Sequence, residues 1–174
     1  MTEPQRIALI GYRGTGKTTV ARLLATALGW DWIDADVEVE LRAGKSIAAI
    51  FADDGEGAFR DTEAEVVAEL CGRKRVVLAL GGGAVLRKDN QGAIATCGAV
   101  VWLRAGVDEI ERRIAADATT AGRRPNLTNS GGRQEIERVL AARTPIYAGC
   151  ATLVVDTDGK APETIAAEIV AAIG

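Results

Sequence analysis

The 174-residue sequence contains no histidine. That excludes Ser-His-Asp and Cys-His catalysis, His-ligated zinc and any imidazole proton shuttle. Cysteine is scarce: Cys71, Cys97 and Cys150 lie far apart, form no CxxC pattern and, being three, cannot all pair within the chain. They are expected to act as small buried apolar residues. Four prolines against 20 glycines point to tight turns rather than a stiff linker. Neither sign of charge dominates, since 21 basic and 24 acidic residues leave −3. No bulk electrostatic footprint for a nucleic acid exists. No apolar run approaches the roughly 18 residues that a bilayer requires. The first residues, MTEPQR, lead straight into IALIG without a basic region, an apolar signal stretch or a cleavage site. The expectation is a soluble cytoplasmic protein with neither membrane nor nucleic-acid partner.

What is present suits one globular domain over residues 1–174: 48% apolar and 26% charged residues are enough for a core. Residues 7–10 (IALI) form a short apolar run of strand length. Val20, Leu23, Leu24, Ala27 and Leu28 then recur at helical spacing, and Gly29 supplies a stop. WDWIDAD (30–36) reads as a second short strand ending in acids. From Val37 to Leu70 the pattern is helical, with breaks at Gly44 and at residues 53–57. Residues 76–80, 99–103 and 152–155 are further strands, the first of them apolar on both faces. Apolar strands separated by amphipathic helices predict a parallel sheet covered on both sides. Ligands of such sheets bind at the carboxyl ends of the strands. The polar, turn-rich stretch 117–133 is longer than common loops and reads as a functional lid or a mobile segment.

Gly11-Tyr-Arg-Gly14-Thr15-Gly16-Lys17-Thr18 satisfies G-x-x-x-x-G-K-[ST] between a strand and a helix, the context the pattern requires. Its glycines let backbone N–H groups wrap a polyphosphate, and the following helix adds its positive dipole end. Lys17 can reach the β- and γ-phosphates, and the Thr18 hydroxyl can hold Mg²⁺. A purine nucleoside triphosphate with Mg²⁺ is the implied ligand. The reaction must be read elsewhere, because ATPases, switches and small-molecule kinases share this loop.

Three groups bear on a second substrate. Asp34 and Asp36 close the second strand, and alternation along an extended segment predicts both carboxylates on one face. One could orient Mg²⁺ while the other faces an acceptor, or both could be solvated loop acids. Arg60 and Glu63 share a helix face at i, i+3, as a ligand-gripping pair or as a surface ion pair. Gly81-Gly82-Gly83 follows the most apolar strand and would let a ligand approach bare backbone.

Together with Arg124-Pro125 and Arg143-x-Pro145-x-Tyr147, these pieces resemble the shikimate kinase family across essentially the whole chain. The resemblance implies a three-layer α/β P-loop fold, a five-stranded parallel sheet in the order 2-3-1-4-5 flanked by helices, with a mobile lid. It implies a substrate-binding helical region at about 34–62 and a lid at about 116–132. The implied reaction is ATP- and Mg²⁺-dependent phosphorylation of the shikimate 3-hydroxyl, by a monomer, on the route to chorismate and the aromatic amino acids. By the same resemblance Asp36 contacts the acceptor hydroxyls and receives the proton, and Asp34 lies near Mg²⁺. Arg60 and Arg143 grip the carboxylate, and Gly81, Gly82 and Gly83 meet the ring through their backbone. Gly14, Thr15, Gly16, Lys17, Thr18 and Thr19 bind the nucleotide phosphates, Arg124 enters from the lid, and Arg113 stacks on adenine. The lid reads Arg-Pro-Asn-Leu where the family commonly has Arg-Pro-Leu-Leu.

Alternative readings are a related kinase of another polyol acid, such as gluconate, or a non-catalytic or partner-driven NTP-binding module. The latter usually carries an acid after an apolar strand, where this chain has glycines. Trp102, inside a strand, is expected in the core, and Trp30 and Trp32 partly buried. Arg112 and Arg113 divide between helix surface and nucleotide contact, and the Glu109–Arg113 pair reads as ordinary helix surface.

Overall fold

The structure is a computed structural model that describes residues 4–116 and 132–174. Five strands form one parallel sheet: β1 (Arg6–Ile10), β2 (Asp31–Asp34), β3 (Val76–Ala79), β4 (Ala99–Arg104) and β5 (Leu153–Asp156), in the order β2-β3-β1-β4-β5. Between them run α1 (Lys17–Leu28), α2 (Ala35–Ala43), α3 (Ile47–Leu70), α4 (Lys88–Ala95), α5 (Val107–Ala116), α6 (Gly132–Cys150) and α7 (Pro162–Ile173). The expected strand order is the observed one.

Period-two alternation sorts the central strands between two layers. Ala8, Ile10, Leu78, Val100 and Trp102 face a core shared with α2, α3, α4 and α6. Ile7, Leu9, Val77, Val101 and Leu103 face a second core built with α1 and α7. Because β1, β3 and β4 bury both faces, each reads as a continuous apolar run. Trp102 lies in the first core, as expected, whereas Trp32 is exposed on the edge strand β2.

The expected break near residues 53–57 is real but narrow. A single residue, Gly55 (φ +86°, ψ 171°), interrupts α3, and Gly44 caps α2 in the left-handed region. The reading of Asp34 and Asp36 as two alternating strand residues is corrected. β2 stops at Asp34, whose side chain caps α2 by accepting from the Asp36 N–H at 2.8 Å and the Val37 N–H at 3.4 Å. Asp36 belongs to the first turn of that helix. An aspartate that caps a helix ends the extended backbone at that residue, so the alternation cannot run through to Asp36.

Candidate active site

The phosphate loop follows β1, the central strand, so β2 and β3 flank it on one side and β4 and β5 on the other. Gly11 has φ +143°, and a Cβ there would lie 2.6 Å from the Leu103 carbonyl oxygen. The chain can leave β1 over the end of β4 only without a side chain. The buried Thr15 hydroxyl donates to the Tyr12 carbonyl at 2.8 Å and holds the loop closed. The Lys17 ammonium folds back over it, donating to the carbonyls of Gly11 (2.6 Å) and Tyr12 (2.9 Å). A cleft of about 830 Å³ opens above, lined by residues of the loop, by Thr18, Thr19, Asp34, Asp36, Gly81 and Gly82, and by groups from α5 and the β5–α7 connection.

On the β2–β3 side the Thr18 hydroxyl donates to Asp34 Oδ2 at 2.9 Å. A hydroxyl and a carboxylate oxygen side by side at the start of α1 are hard donors of the kind that Mg²⁺ takes together with substrate phosphates. Among the described residues no group of three or more Cys, Asp or Glu could hold a metal by itself. The donor set therefore suits an ion that arrives with a nucleotide rather than a resident one.

Behind the glycine run lie the two arginines. Arg60 (6% exposed) donates to Glu63 Oε1 at 2.7 Å, and Glu63 is itself buried (1% exposed). This is a buried pair, so the surface-pair alternative is set aside. The Arg60 guanidinium packs on Gly83, where a Cβ would fall 2.5 Å from its Nη1. Arg143 (7% exposed) packs on Gly82, where a Cβ would fall 3.2 Å from its Nη1. Two bare glycines are what let two guanidinium groups lie against one short loop. Arg143 makes no ion pair among the described residues, although burial of an uncompensated cation is costly. Arg60, Gly83 and Arg143 do not line the cleft itself; they adjoin it through Gly82, which does.

On the β4–β5 side Arg113 ties two loops together, donating to the carbonyls of Gly14 and Thr157, each at 3.4 Å. Glu109 holds it at 2.8 Å and also accepts two bonds from Arg112. The expectation that Glu109–Arg113 is ordinary helix surface is thus overturned: both residues line the cleft, because α5 starts at the end of β4. The Arg112 hydrogen bonds, helped by Arg113, hold the Glu109 carboxyl well below the usual range, at about 2. A depressed folded-state value adds stability that is complete above the ordinary carboxylate range and fades as pH falls through about 2. Glu109→Gln is therefore expected to lower Tm slightly and weaken ATP binding several-fold at pH 7. The Tm gap from the parent protein should narrow steadily below pH 4, as thermal melts across pH 2–8 would reveal.

The cleft and its wall bring together Gly14, Thr15, Gly16, Lys17, Thr18, Thr19, Asp34, Asp36, Gly81, Gly82 and Arg113, with Arg60, Gly83 and Arg143 adjoining. Arg124 and most of the expected lid lie outside the described residues. Three contacts had no reading in the sequence. Glu109 organises the nucleotide side. Glu135, fully buried, pairs with Arg13 of the phosphate loop at 3.4 Å. Tyr147 donates to the Gly82 carbonyl at 2.6 Å. Only Tyr147 carried a signal, its place one helical turn after Arg143.

A phosphate loop at the central strand of a parallel 2-3-1-4-5 sheet, with a second-substrate wall on the β2–β3 side, defines a P-loop kinase. The sequence model of the shikimate kinase family matches residues 13–174. A shikimate kinase of Rhodopirellula baltica is 44% identical over 170 residues, covering 98% of this chain and 91% of its own. That of Methylococcus capsulatus is 44% identical over 157 residues, 90% of this chain and 86% of its own. Shikimate kinase from Acinetobacter baumannii in complex with shikimate superposes with a TM-score of 0.91 at 36% identity, covering 97% of this chain and 92% of that one. The chain belongs to the shikimate kinase family. A gluconokinase from Sinorhizobium meliloti, with TM-score 0.59 and 18% identity, shares the fold alone.

Proposed function

We propose that the protein transfers the γ-phosphoryl group of ATP to the 3-hydroxyl of shikimate, giving shikimate 3-phosphate and ADP. The observation that carries this reading is Arg143, a nearly buried guanidinium beside Gly82 at the cleft wall, without an ion pair among the described residues. A carboxylate from a bound acceptor supplies the missing anion, and the planar fork favours two-pronged recognition. Arg60, held by Glu63 against Gly83, takes the other side of that carboxylate. The acceptor ring then lies on Gly81, Gly82 and Gly83 with its hydroxyls toward Asp36, on the side of α2 and the first part of α3, about 34–62.

Phosphoryl transfer needs positioning and charge neutralisation more than covalent work. Asp36 accepts the proton of the attacking hydroxyl. Lys17 leaves the carbonyls of Gly11 and Tyr12 for the more strongly charged phosphate oxygens. The N–H groups of Gly14, Thr15, Gly16, Thr18 and Thr19 cradle the phosphates. Mg²⁺, when bound, neutralises charge on the β- and γ-phosphates. Thr18 and Asp34 are the residues that would hold it. Arg113, fixed between Gly14 and Thr157, borders the adenine, and Arg124 adds a cation from the lid, whose closure keeps water from the reacting group. Every described group that the site uses comes from one chain, in keeping with a monomer. The same reading gives a cytoplasmic enzyme with no nucleic-acid or membrane partner. Among the described residues no helix is long and apolar enough to cross a membrane.

A coupled assay of ADP release, with ATP and Mg²⁺, tests the reading. Turnover should require shikimate and should be far slower with gluconate or quinate. Acceptor-independent ADP release, or equal use of gluconate, would overturn it.

A further inference from the structure

The glycine run has three carbonyls, and each has a different kind of anchor. Those of Gly81 and Gly83 accept from the backbone N–H groups of Ala84 (3.0 Å) and Leu86 (3.1 Å), bonds that stay inside the loop. The Gly82 carbonyl instead accepts from the Tyr147 hydroxyl at 2.6 Å, across 65 residues of sequence. Tyr147 is fully buried, and its ring packs on Trp102 with centroids 5.6 Å apart, so the hydroxyl has little freedom to move. One turn earlier on α6, Arg143 packs on the same glycine. A glycine peptide has no side chain to fix its plane. A carbonyl and the next N–H point in opposite directions in a planar trans peptide, so the Tyr147 bond also fixes where the Gly83 N–H points.

We propose that Tyr147 is a positioning residue for the acceptor. By holding the Gly82–Gly83 peptide in one orientation, it aims a backbone donor at the bound acid and sets the distance between that donor and Arg143. This rests on the function proposed above and adds to it a residue that touches no substrate. Without the hydroxyl the peptide is free to rotate in the empty site and must be ordered again each time the acceptor binds. The cost falls on acceptor affinity rather than on the chemical step.

The test begins with the parent protein: if it does not turn over shikimate, the functional reading fails, independently of Tyr147. If it does, Tyr147→Phe keeps the ring and its packing and removes only the bond. The expected result is a KM for shikimate raised about tenfold, the scale of one buried hydrogen bond lost, with kcat and the KM for ATP changed less than about twofold. Calorimetric titration with shikimate should give the same ratio from the folded variant, whatever its active fraction. A merely structural role would lower Tm and leave both KM values alone. The double variant with Arg143→Lys should be non-additive in the shikimate KM, since both changes act through Gly82. An unchanged shikimate KM in Tyr147→Phe, a parallel rise in the KM for ATP, or strict additivity overturns the proposal.

Discussion

Asp36→Asn is expected to lose about 10²–10⁴ of kcat, the range for removing a general base, with Tm and ATP affinity close to those of the parent protein. The contrast arises from where Asp36 sits. Its backbone N–H donates to Asp34 Oδ1, a bond that the amide side chain leaves intact, so the α2 cap and the Thr18–Asp34 contact survive. The phosphate loop is likewise untouched, since Lys17 and Thr15 are anchored to the carbonyls of Gly11 and Tyr12. What changes is the basicity of one carboxylate that lines the cleft on the acceptor side. Steady-state kinetics with nucleotide titration separates the two effects. Near-normal turnover would remove Asp36 from the proton-accepting role, and a parallel loss of ATP binding would make it part of the nucleotide site.

Arg60→Ala is expected to be the most damaging of the acceptor-side changes, because it acts twice. It removes a guanidinium from the carboxylate grip, and it leaves Glu63 buried without the cation that now lies 2.7 Å away. Breaking such a buried pair costs about 3–5 kcal/mol of stability. Arg143→Ala removes the other guanidinium but strands no described acid, so it should raise the KM for shikimate by a hundredfold or so while Tm changes little. Glu63→Gln in the Arg60→Ala background should restore part of the lost stability without restoring acceptor use. Denaturant melts and kinetics on the set distinguish these outcomes. Equal loss of stability in Arg60→Ala and Arg143→Ala would contradict the assignment of the buried pair. Loss of ATP affinity in both would move the two arginines to the nucleotide side.

The sheet was legible because its strands bury both faces. Residues such as Val76, Val77 and Leu78 are apolar in succession, and no other element of this chain needs that. The phosphate loop was legible because its chemistry is local: eight consecutive residues carry the glycines, the lysine and the hydroxyl. The Arg60–Glu63 pair was visible for the same reason, being one helical turn long, although only the fold shows that it is buried. Asp36 was placed on the right wall by the wrong argument. Period-two alternation was carried through a residue that caps a helix, and a capping aspartate is also what the end of a strand looks like. What could not be read were contacts made across the fold. Arg13 and Glu135 lie 122 residues apart, and Tyr147 and Gly82 lie 65 apart. Glu109 falls between these cases. Its bonds to Arg112 and Arg113 are local, but their place in the cleft follows from α5 starting beside the phosphate loop.

The account turns on one site in which the phosphate loop, Asp36 and the arginines behind Gly82 and Gly83 serve a single acceptor. A crystal structure of the protein with ADP, Mg²⁺ and shikimate tests this most directly. The expected result is the shikimate carboxylate hydrogen-bonded to both Arg60 and Arg143, its ring on residues 81–83 and its 3-hydroxyl at the Asp36 carboxylate, facing the phosphate loop. Shikimate bound with its carboxylate on other cations, or with the 3-hydroxyl turned away from Asp36 and the nucleotide, would contradict it.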